Sequence, residues 1–267
     1  DTFNVKINLN ELTYFAIFQE KTRKELIEKS GRVEGPIFEG DEEILWINQK
    51  KFKDFNNFQL EKFSASRLTN KKWAQKNYNS LLITLSSFTK LQEAYFDYAI
   101  GDGKIYLNPN SIKNNLFSLY DIILMSMNGF HALSPSNRKF FYNLQEKIFE
   151  PIYYDGYANE GKGFVIFETN YFENNHLLGT MNENDLKFYS QYLKKEDIEE
   201  ILRKIDEIDL KEFISQYKIL SNLSFVNAEK DVKFFFQIIN QNLSNIEKFV
   251  LQFQNVGEFN KPNWKEE

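Results

Sequence analysis

Cysteine is absent from this chain, and histidine is nearly absent. None of the 267 residues is cysteine, and the two histidines are His131 and His176. Without cysteine, disulfide bonds, thiolate metal sites and cysteine nucleophiles are excluded. With two histidines, a zinc site built from several imidazoles is very nearly excluded as well. The chemistry of any site must therefore come from other side chains.

The chain also lacks a basic excess and a long apolar run. It has 33 lysine and arginine residues against 38 aspartate and glutamate residues, a net charge of −5. Proteins that grip nucleic acid through phosphates usually carry a basic excess, so nucleic acid is not expected as the main partner. Apolar runs such as IILM and FFF are far too short to span a membrane. We therefore expect no membrane span in this chain.

Aromatic residues are abundant, and the N-terminal part has the pattern of a small sheet. Apolar residues make up 42% of the chain, including 27 phenylalanines and 14 tyrosines, so a sizeable core is available. Alternating apolar and polar residues predict a strand over 4–10, and the segment 12–20 is a second strand candidate joined to it by a short turn. A helix is predicted over 22–31, and extended segments follow around Gly40.

Helical spacing dominates the rest of the chain. A helix is predicted within 77–100, and several more from about residue 184 onward. The buried face of a further helix, over 111–130, is predicted from Ile112, Leu116, Leu119, Ile123 and Met127. These patterns predict an α+β chain with two lobes. A small sheet-containing lobe spans 1–95, and a larger, mainly helical lobe spans 96–267.

Two neighbouring stretches carry a candidate metal site. HALSPSNRKFFYN (131–143) and FEPIYYDG (149–156) place Asn137 and Asp155 on either side of an apparent hairpin. A hairpin brings its ends together, so both oxygen-bearing side chains could reach one Mg²⁺ ion, which prefers such ligands. Protein kinases hold Mg-ATP with an asparagine and an Asp before a Gly. The alternative is that Asp155 simply opens a tight turn.

The same stretches resemble the CotH-type kinases, an atypical kinase-fold family named for a spore-coat protein. GFHALSPSNRKFFYN and KIFEPIYYDG are similar to a motif found in part of that family. Nearer the N-terminus, YFAIFQEKTRKELIEKSGRVEGPIFEG is similar to its first strands and helix. The resemblance covers roughly residues 4–45 and 90–160. It implies a two-lobed protein-kinase-like fold that uses ATP with Mg²⁺ or Mn²⁺.

The resemblance also implies roles for individual residues. Asp155 would be the metal-binding aspartate, and Asn137 would be the second metal ligand. Glu20 would be the acidic group that orients the nucleotide site, although it could equally be a solvated strand end.

The sequence departs from the family at two functional positions. A kinase catalytic loop usually has a base aspartate five residues before the asparagine, and Ala132 stands there instead. Glu39 stands where the family's phosphate-binding lysine is expected, so Lys6 and Lys21 are the possible substitutes. These departures do not exclude phosphoryl transfer, because its loose transition state depends more on positioning and charge neutralisation than on proton removal.

His131 and Arg138 each have two interpretations. His131 could orient an acceptor hydroxyl or accept its proton late in the reaction, or it could be a structural hydrogen-bonding group. Arg138 could clamp a phosphate with two parallel hydrogen bonds, or it could pair with an acidic residue and brace the loop.

Three functions from different classes follow from these patterns. The first is an ATP- and Mg-dependent phosphotransferase that acts on a hydroxyl of a protein or glycan. The second is a non-catalytic CotH-like assembly module of a bacterial surface or envelope, with the kinase chemistry lost. The third, a glycan-binding domain, requires exposed aromatic side chains along a groove. The family resemblance suggests an extracytoplasmic or cell-surface location.

Overall fold

The computed structural model describes residues 2–9, 12–19, 24–41, 43, 47, 65–100, 107–111, 114–154, 192–221 and 225–253. Within these ranges, the strands are β1 (Thr2–Leu9), β2 (Leu12–Gln19), β3 (Ile37–Gly40), β4 (Ser66–Leu68), β5 (Lys139–Asn143) and β6 (Ile148–Ile152). The helices are α1 (Lys24–Lys29), α2 (Lys71–Ala74), α3 (Tyr78–Ile100), α4 (Leu116–Ser126), α5 (Lys195–Asp206), α6 (Leu210–Ser221) and α7 (Phe225–Phe253). This mixture confirms the predicted α+β class.

The strands form two antiparallel sheets. β1 and β2 pair with each other, and the second sheet has the order β4-β3-β5-β6. One register row of the second sheet runs from Arg67 through Glu39 and Lys139 to Ile152. This sheet therefore joins strands from both sides of the boundary predicted between residues 95 and 96.

The hairpin expected between the two motif stretches is present as β5 and β6. Lys139 pairs with Ile152 at its open end, and Asn143 pairs with Ile148 beside the turn. Within the turn, the Asn143 side chain accepts hydrogen bonds from the backbone N–H groups of Gln145 and Glu146. Such side-chain bonds to the backbone two and three residues on are typical of asparagine in turns. The local sequence therefore specifies this hairpin.

The main core lies between the second sheet and the helices. Phe38, Phe140 and Phe149 come from three neighbouring strands and are completely buried. The Phe140 ring packs with Tyr95 of α3 and Phe117 of α4. Apolar residues of α5 and α7 belong to the same cluster. Aromatic rings therefore form the centre of this core.

Helix α4 differs from its prediction in length and in orientation. It begins at Leu116 instead of residue 111. Before it, the Asn110 side chain forms two hydrogen bonds with the Phe149 backbone, which ties this part of the chain to the edge of β6. The predicted buried face is wrong, because Ile123 is 41% exposed while Asp121 is fully buried. An almost wholly apolar helix has no periodicity strong enough to select its inner face.

The end of α4 is marked by a left-handed residue. Asn128 has φ of 59°. The Gly129 N–H then donates to the carbonyl oxygen of Leu124, five residues earlier, which is the backbone bond of a Schellman cap. The predicted stop near Gly129 therefore lies just beyond the last helical residue. Separately, no helix in the described parts of the chain combines the length and apolar character needed to cross a membrane.

Candidate functional site

The predicted catalytic loop runs from the 3₁₀ turn Phe130–Leu133 to the start of β5. Its side chains point inward. Asn137 is 7% exposed and Arg138 is 5% exposed. Ser134 and Ser136, which follow the 3₁₀ turn, are also buried. The two serine hydroxyls lie 2.9 Å apart and hydrogen-bond to each other. His131, in the turn itself, is the exposed member of the predicted set.

Strand β3 lies directly against this loop because residue 40 is glycine. A Cβ atom at Gly40 would lie 2.1 Å from the Pro135 carbonyl oxygen and 2.4 Å from that of Ser136. Only a residue without a side chain allows so close a backbone approach. The Gly40 N–H then donates to the Arg138 carbonyl oxygen at 2.8 Å. The glycine predicted to lie within an extended segment therefore holds the loop closed against the sheet.

Arg138 is held by a buried carboxylate. Its Nη1 and Nη2 atoms donate to the two oxygens of Asp121 at 3.0 and 3.2 Å, and its Nε donates to the Leu133 carbonyl oxygen at 3.0 Å. This is the parallel, bidentate geometry that guanidinium and carboxylate groups favour. Of the two interpretations of Arg138, the structure contains the pairing with an acid. The donors that a phosphate clamp would use are engaged with Asp121.

The charges of this pair depend on each other. Burial raises the pKa of the Asp121 carboxyl, while the charge and hydrogen bonds of Arg138 and the hydroxyl of Tyr192 oppose that rise. Burial alone would lower the pKa of Arg138, but Asp121 reverses the effect and raises it. Because arginine stays protonated in proteins, we take the Asp121 carboxylate as its counter-charge inside the core.

A second buried carboxylate extends the polar network to α5. Asp197, in the first turn of α5, accepts hydrogen bonds from Ser118 Oγ at 2.5 Å and from Asn115 Nδ2 at 2.8 Å. Both donors lie at the N-terminal end of α4, one turn or more before Asp121. Tyr192 connects the two parts, since its hydroxyl contacts Asp121 and its carbonyl oxygen lies 3.1 Å from Ser118 Oγ. Loop, α4 and α5 are thus joined by hydrogen bonds between buried groups.

Sequence reasoning did not find Asp121, Asp197 or Tyr192. One signal was available for the first, because Asp121 is the lone charged residue of an otherwise apolar helix segment. A charge in such a place is rarely buried without a partner. Arg138, whose pairing with an acid was one of its two interpretations, was the candidate for that partner.

His131 and Asn137 contact each other. Asn137 Nδ2 lies 2.8 Å from His131 Nε2 and 3.3 Å from the His131 carbonyl oxygen. The amide nitrogen is a donor, so it donates to the His131 ring and to the His131 backbone. This contact joins the predicted metal ligand to a residue that had both a catalytic and a structural interpretation. It uses them to close the 3₁₀ turn onto the loop.

The Asn137 side chain offers a Mg²⁺ ion one oxygen atom in a confined place. Both hydrogen bonds of Asn137 described above use Nδ2, so Oδ1 is the atom that a cation would contact. Mg²⁺ keeps several of its waters when it binds to proteins, and a side chain that is 7% exposed leaves little space for them. Across the described residues, no group of three or more histidine, aspartate or glutamate side chains is arranged to hold a metal ion.

The remaining predicted residues cannot be joined to this site. Asp155 and Glu20 lie outside the described residues, so the predicted contact of Asp155 with Asn137 stays a prediction. Lys6 lies in β1, where its backbone pairs with Phe15. Its predicted role towards the nucleotide is likewise untested. Lys21 is also outside the described ranges.

A lysine not considered from the sequence lies at the open end of the hairpin. Lys139 Nζ is 3.1 Å from a carboxylate oxygen of Glu39 and 3.5 Å from the centre of the Tyr154 ring. Arg67 donates to the other oxygen of Glu39 at 2.9 Å. This row of alternating charges follows the register of the sheet. It places a cation beside the residue that precedes Asp155.

Tyr95 anchors the loop from the side of α3, and its removal is expected to weaken the fold. Its buried hydroxyl donates to the Pro135 carbonyl oxygen at 2.8 Å. Tyr95→Phe leaves that carbonyl without its donor, so we expect a loss of about 1–3 kcal/mol in the free energy of unfolding, measured in urea. Tyr78→Phe on the same helix is the matched control, because Tyr78 is 72% exposed. Equal losses for the two variants would show that the Tyr95 hydroxyl does not anchor the loop.

The chain matches no protein-family model, no curated protein and no solved structure. Its candidate site therefore has to be interpreted from its own geometry. The resemblance to CotH-type kinases remains a hypothesis drawn from the two motif stretches.

Proposed function

We propose that this chain is a non-catalytic assembly module of the CotH-like kind. In this proposal, the loop of the kinase-like motif holds the fold together instead of transferring phosphate. The function of the domain is then to bind another macromolecule at a surface, and a bacterial surface or envelope is the setting that the resemblance suggests.

The bidentate pair of Arg138 with Asp121 is the observation that carries this proposal. A phosphate-binding arginine must offer its donors to a ligand that arrives from solvent. Here the two donors face a carboxylate that is fully buried, and the arginine itself is 5% exposed. To release them, the loop would have to leave Gly40 and expose an unpaired Asp121, at the expense of a buried ion pair. The contacts therefore favour a structural role for this loop.

The second candidate is the Mg-ATP-dependent phosphotransferase acting on a protein or glycan hydroxyl, with a two-lobed kinase-like arrangement. One observation favours it. The register of β5 and β6 brings Tyr154 to Lys139, two residues after Asn137, and Asp155 follows Tyr154 directly. In this candidate function, Asn137 and Asp155 would hold the ion together.

Thermal unfolding with nucleotide separates the two functions. We expect the Tm of the chain to be the same in millimolar Mg-ATP, in Mn-ATP and in EDTA without nucleotide. A nucleotide at 100 times its Kd would add about 2.7 kcal/mol to the stability of the native state. For a chain of this size, that corresponds to a rise of about 5–10 °C in Tm.

The contrary result has a specific control. If the Tm rises with Mg-ATP and the rise disappears in EDTA, the proposal that this module is non-catalytic is wrong. Asp155→Ala and Asn137→Ala should then remove the rise, whereas Glu146→Ala in the exposed hairpin turn should keep it. Transfer of the γ-phosphate of labelled ATP to water or to a protein acceptor would complete the case for the phosphotransferase.

A further inference from the structure

Helix α3 has its polar residues inside and its apolar residues outside over the N-terminal half. The inward positions there are Ser80, Thr84 and Ser87, all of which are buried. Two of these hydroxyls are satisfied within the helix, since Thr84 donates to the Ser80 carbonyl oxygen and Ser87 to that of Ile83. An amphipathic helix of a globular protein ordinarily has the opposite arrangement. The inner face is therefore compatible with burial, whereas the exposure of the apolar side chains on the outer face still has to be explained.

The outer face of α3 carries an apolar stripe. Its members are large side chains that are between 42% and 72% exposed: Tyr78, Leu81, Leu82 and Leu85. They have the spacing i, i+3, i+4 and i+7, by which an amphipathic helix docks its apolar face into a partner. Single exposed apolar residues are normal, whereas a contiguous exposed row marks an interaction surface.

The stripe is free of charge. From residue 77 to residue 89, the chain has no lysine, arginine, aspartate or glutamate. Helices that lie on membranes combine an apolar face with lysine and arginine beside it, so a lipid surface is a poor fit to this stretch. An uncharged apolar row is instead compatible with itself, because two copies bring no like charges together at the centre of the contact.

The charges at the two ends of α3 favour a second copy as the partner. Lys72, on the short helix α2 just before α3, is exposed, and Glu93 is exposed towards the C-terminal end of α3. If two copies pack antiparallel about a twofold axis near Leu82, the apolar rows face each other and the basic end of each copy faces the acidic end of the other. A parallel arrangement would place equal charges side by side. Twofold symmetry is also the commonest relation between identical chains.

We propose that two copies of this chain associate through antiparallel packing of their α3 helices along the apolar stripe. This inference rests on the proposed assembly function and identifies its partner as a second copy of the chain. From Tyr78 to Leu85 the stripe is about 10 Å long, at 1.5 Å per residue. A contact built around one helix on each side belongs to the small, transient class of interfaces, at about 1,000 Å² in total. The dimer should therefore depend on concentration.

Sedimentation velocity over protein concentrations from about 1 to 100 μM tests the contact, because this range brackets the affinities of transient complexes. The wild-type chain should shift from monomer to dimer. Leu82→Glu and Leu85→Glu should each weaken the dimer by at least about tenfold, since each buries a charge in the contact. Leu251→Glu on α7 is the matched control, because Leu251 is similarly exposed and lies outside the stripe. Far-ultraviolet circular dichroism checks that all variants are folded.

A charge exchange tests the antiparallel orientation. Lys72→Glu alone and Glu93→Lys alone should each weaken the dimer, and a chain with both substitutions should regain the wild-type affinity. Failure of the double variant to recover would contradict the antiparallel arrangement. A wild-type chain that stays monomeric throughout, or a dimer weakened equally by Leu251→Glu, would overturn the contact itself.

Two further arms separate this contact from its rivals. Flotation with vesicles of phosphatidylcholine and phosphatidylglycerol should leave the protein unbound, and binding that Leu85→Glu abolishes would assign the stripe to lipid instead. Thermal unfolding with Mg-ATP is repeated on the same samples. If the chain is monomeric and its Tm does not change with Mg-ATP, the dimer contact alone is overturned. If Mg-ATP raises the Tm, the non-catalytic function is overturned, whatever the oligomeric state.

Discussion

Asp121→Ala is expected to lower the free energy of unfolding by about 3–5 kcal/mol, which is the usual effect of removing one partner of a buried ion pair. The substitution leaves the Arg138 guanidinium inside the core without its counter-charge, and it removes the acceptor of the Tyr192 hydroxyl. The loss should appear as a lower midpoint in urea denaturation, followed by circular dichroism. It is a stability effect and does not depend on any ligand.

Two comparisons give this prediction its meaning. Asp206→Ala removes an exposed carboxylate from the end of α5 and should change stability by less than about 0.5 kcal/mol. Replacing the pair together, with Asp121→Leu and Arg138→Met, should recover most of the loss, because apolar groups of similar volume often substitute for a buried ion pair. The Leu133 carbonyl would still lack its donor, so recovery should be incomplete. If Asp121→Ala leaves the free energy of unfolding unchanged, the pair does not brace the loop.

Phe140→Ala is expected to cost about 3–5 kcal/mol, which is typical of emptying a large aromatic site in a core. Phe140 is fully buried and packs against rings from three directions, at centroid distances of 5.8 Å to Phe117, 6.2 Å to Tyr95 and 6.3 Å to Phe149. The neighbouring rings come from two helices and a strand, so they cannot all move into the space that the alanine leaves.

The control is another phenylalanine in a different setting. Phe234 on α7 is 57% exposed, and Phe234→Ala should change the free energy of unfolding by less than about 0.5 kcal/mol. Both variants are compared with the wild-type chain by urea denaturation, and the slope of the unfolding free energy against urea concentration is held at its wild-type value. If Phe140→Ala costs no more than Phe234→Ala, the cluster of rings is not the centre of the core.

Elements specified by neighbouring residues were predictable from the sequence. The alternation in 4–10 corresponds to β1 and the second strand candidate in 12–20 corresponds to β2, and the hairpin of β5 and β6 follows from its apolar strands and the asparagine in its turn. The spacing in 77–100 corresponds to α3. In each case the pattern repeats within one element, so it needs no information about distant parts of the chain.

Features that depend on distant residues were not predictable. Strand β4, Ser66–Leu68, has three residues and gains its structure from pairing with β3. The inner face of α4 is set by Asp121, whose partner Arg138 lies outside the helix. The pairing of β3 with β5, across the predicted lobe boundary, cannot be recognised from the sequence of either strand alone.

The candidate site was predicted in part for the same reason. The motif brought Asn137, His131 and Arg138 to attention as one polar group, and the structure places all three in one turn and loop. Whether an arginine faces a phosphate or a carboxylate depends on what lies opposite, and Asp121 belongs to another element. Sequence spacing identifies a polar cluster but does not identify the side chain that neutralises it.

The pairing of β3 with β5 has a consequence for how the chain is made. Ile37 and Phe38 in β3 leave the ribosome roughly a hundred residues before their partners Phe141 and Phe140, a delay of about 5–20 s at ordinary rates of synthesis. During that time β3 has β4 as a possible partner, but β5, which completes its pairing, has not been made. The hairpin of β5 and β6 is local and can form as soon as it emerges, so it provides the template onto which the older strand closes. We therefore expect the nascent N-terminal part to expose apolar side chains until residue 152 has been made, which is the condition under which chaperones act.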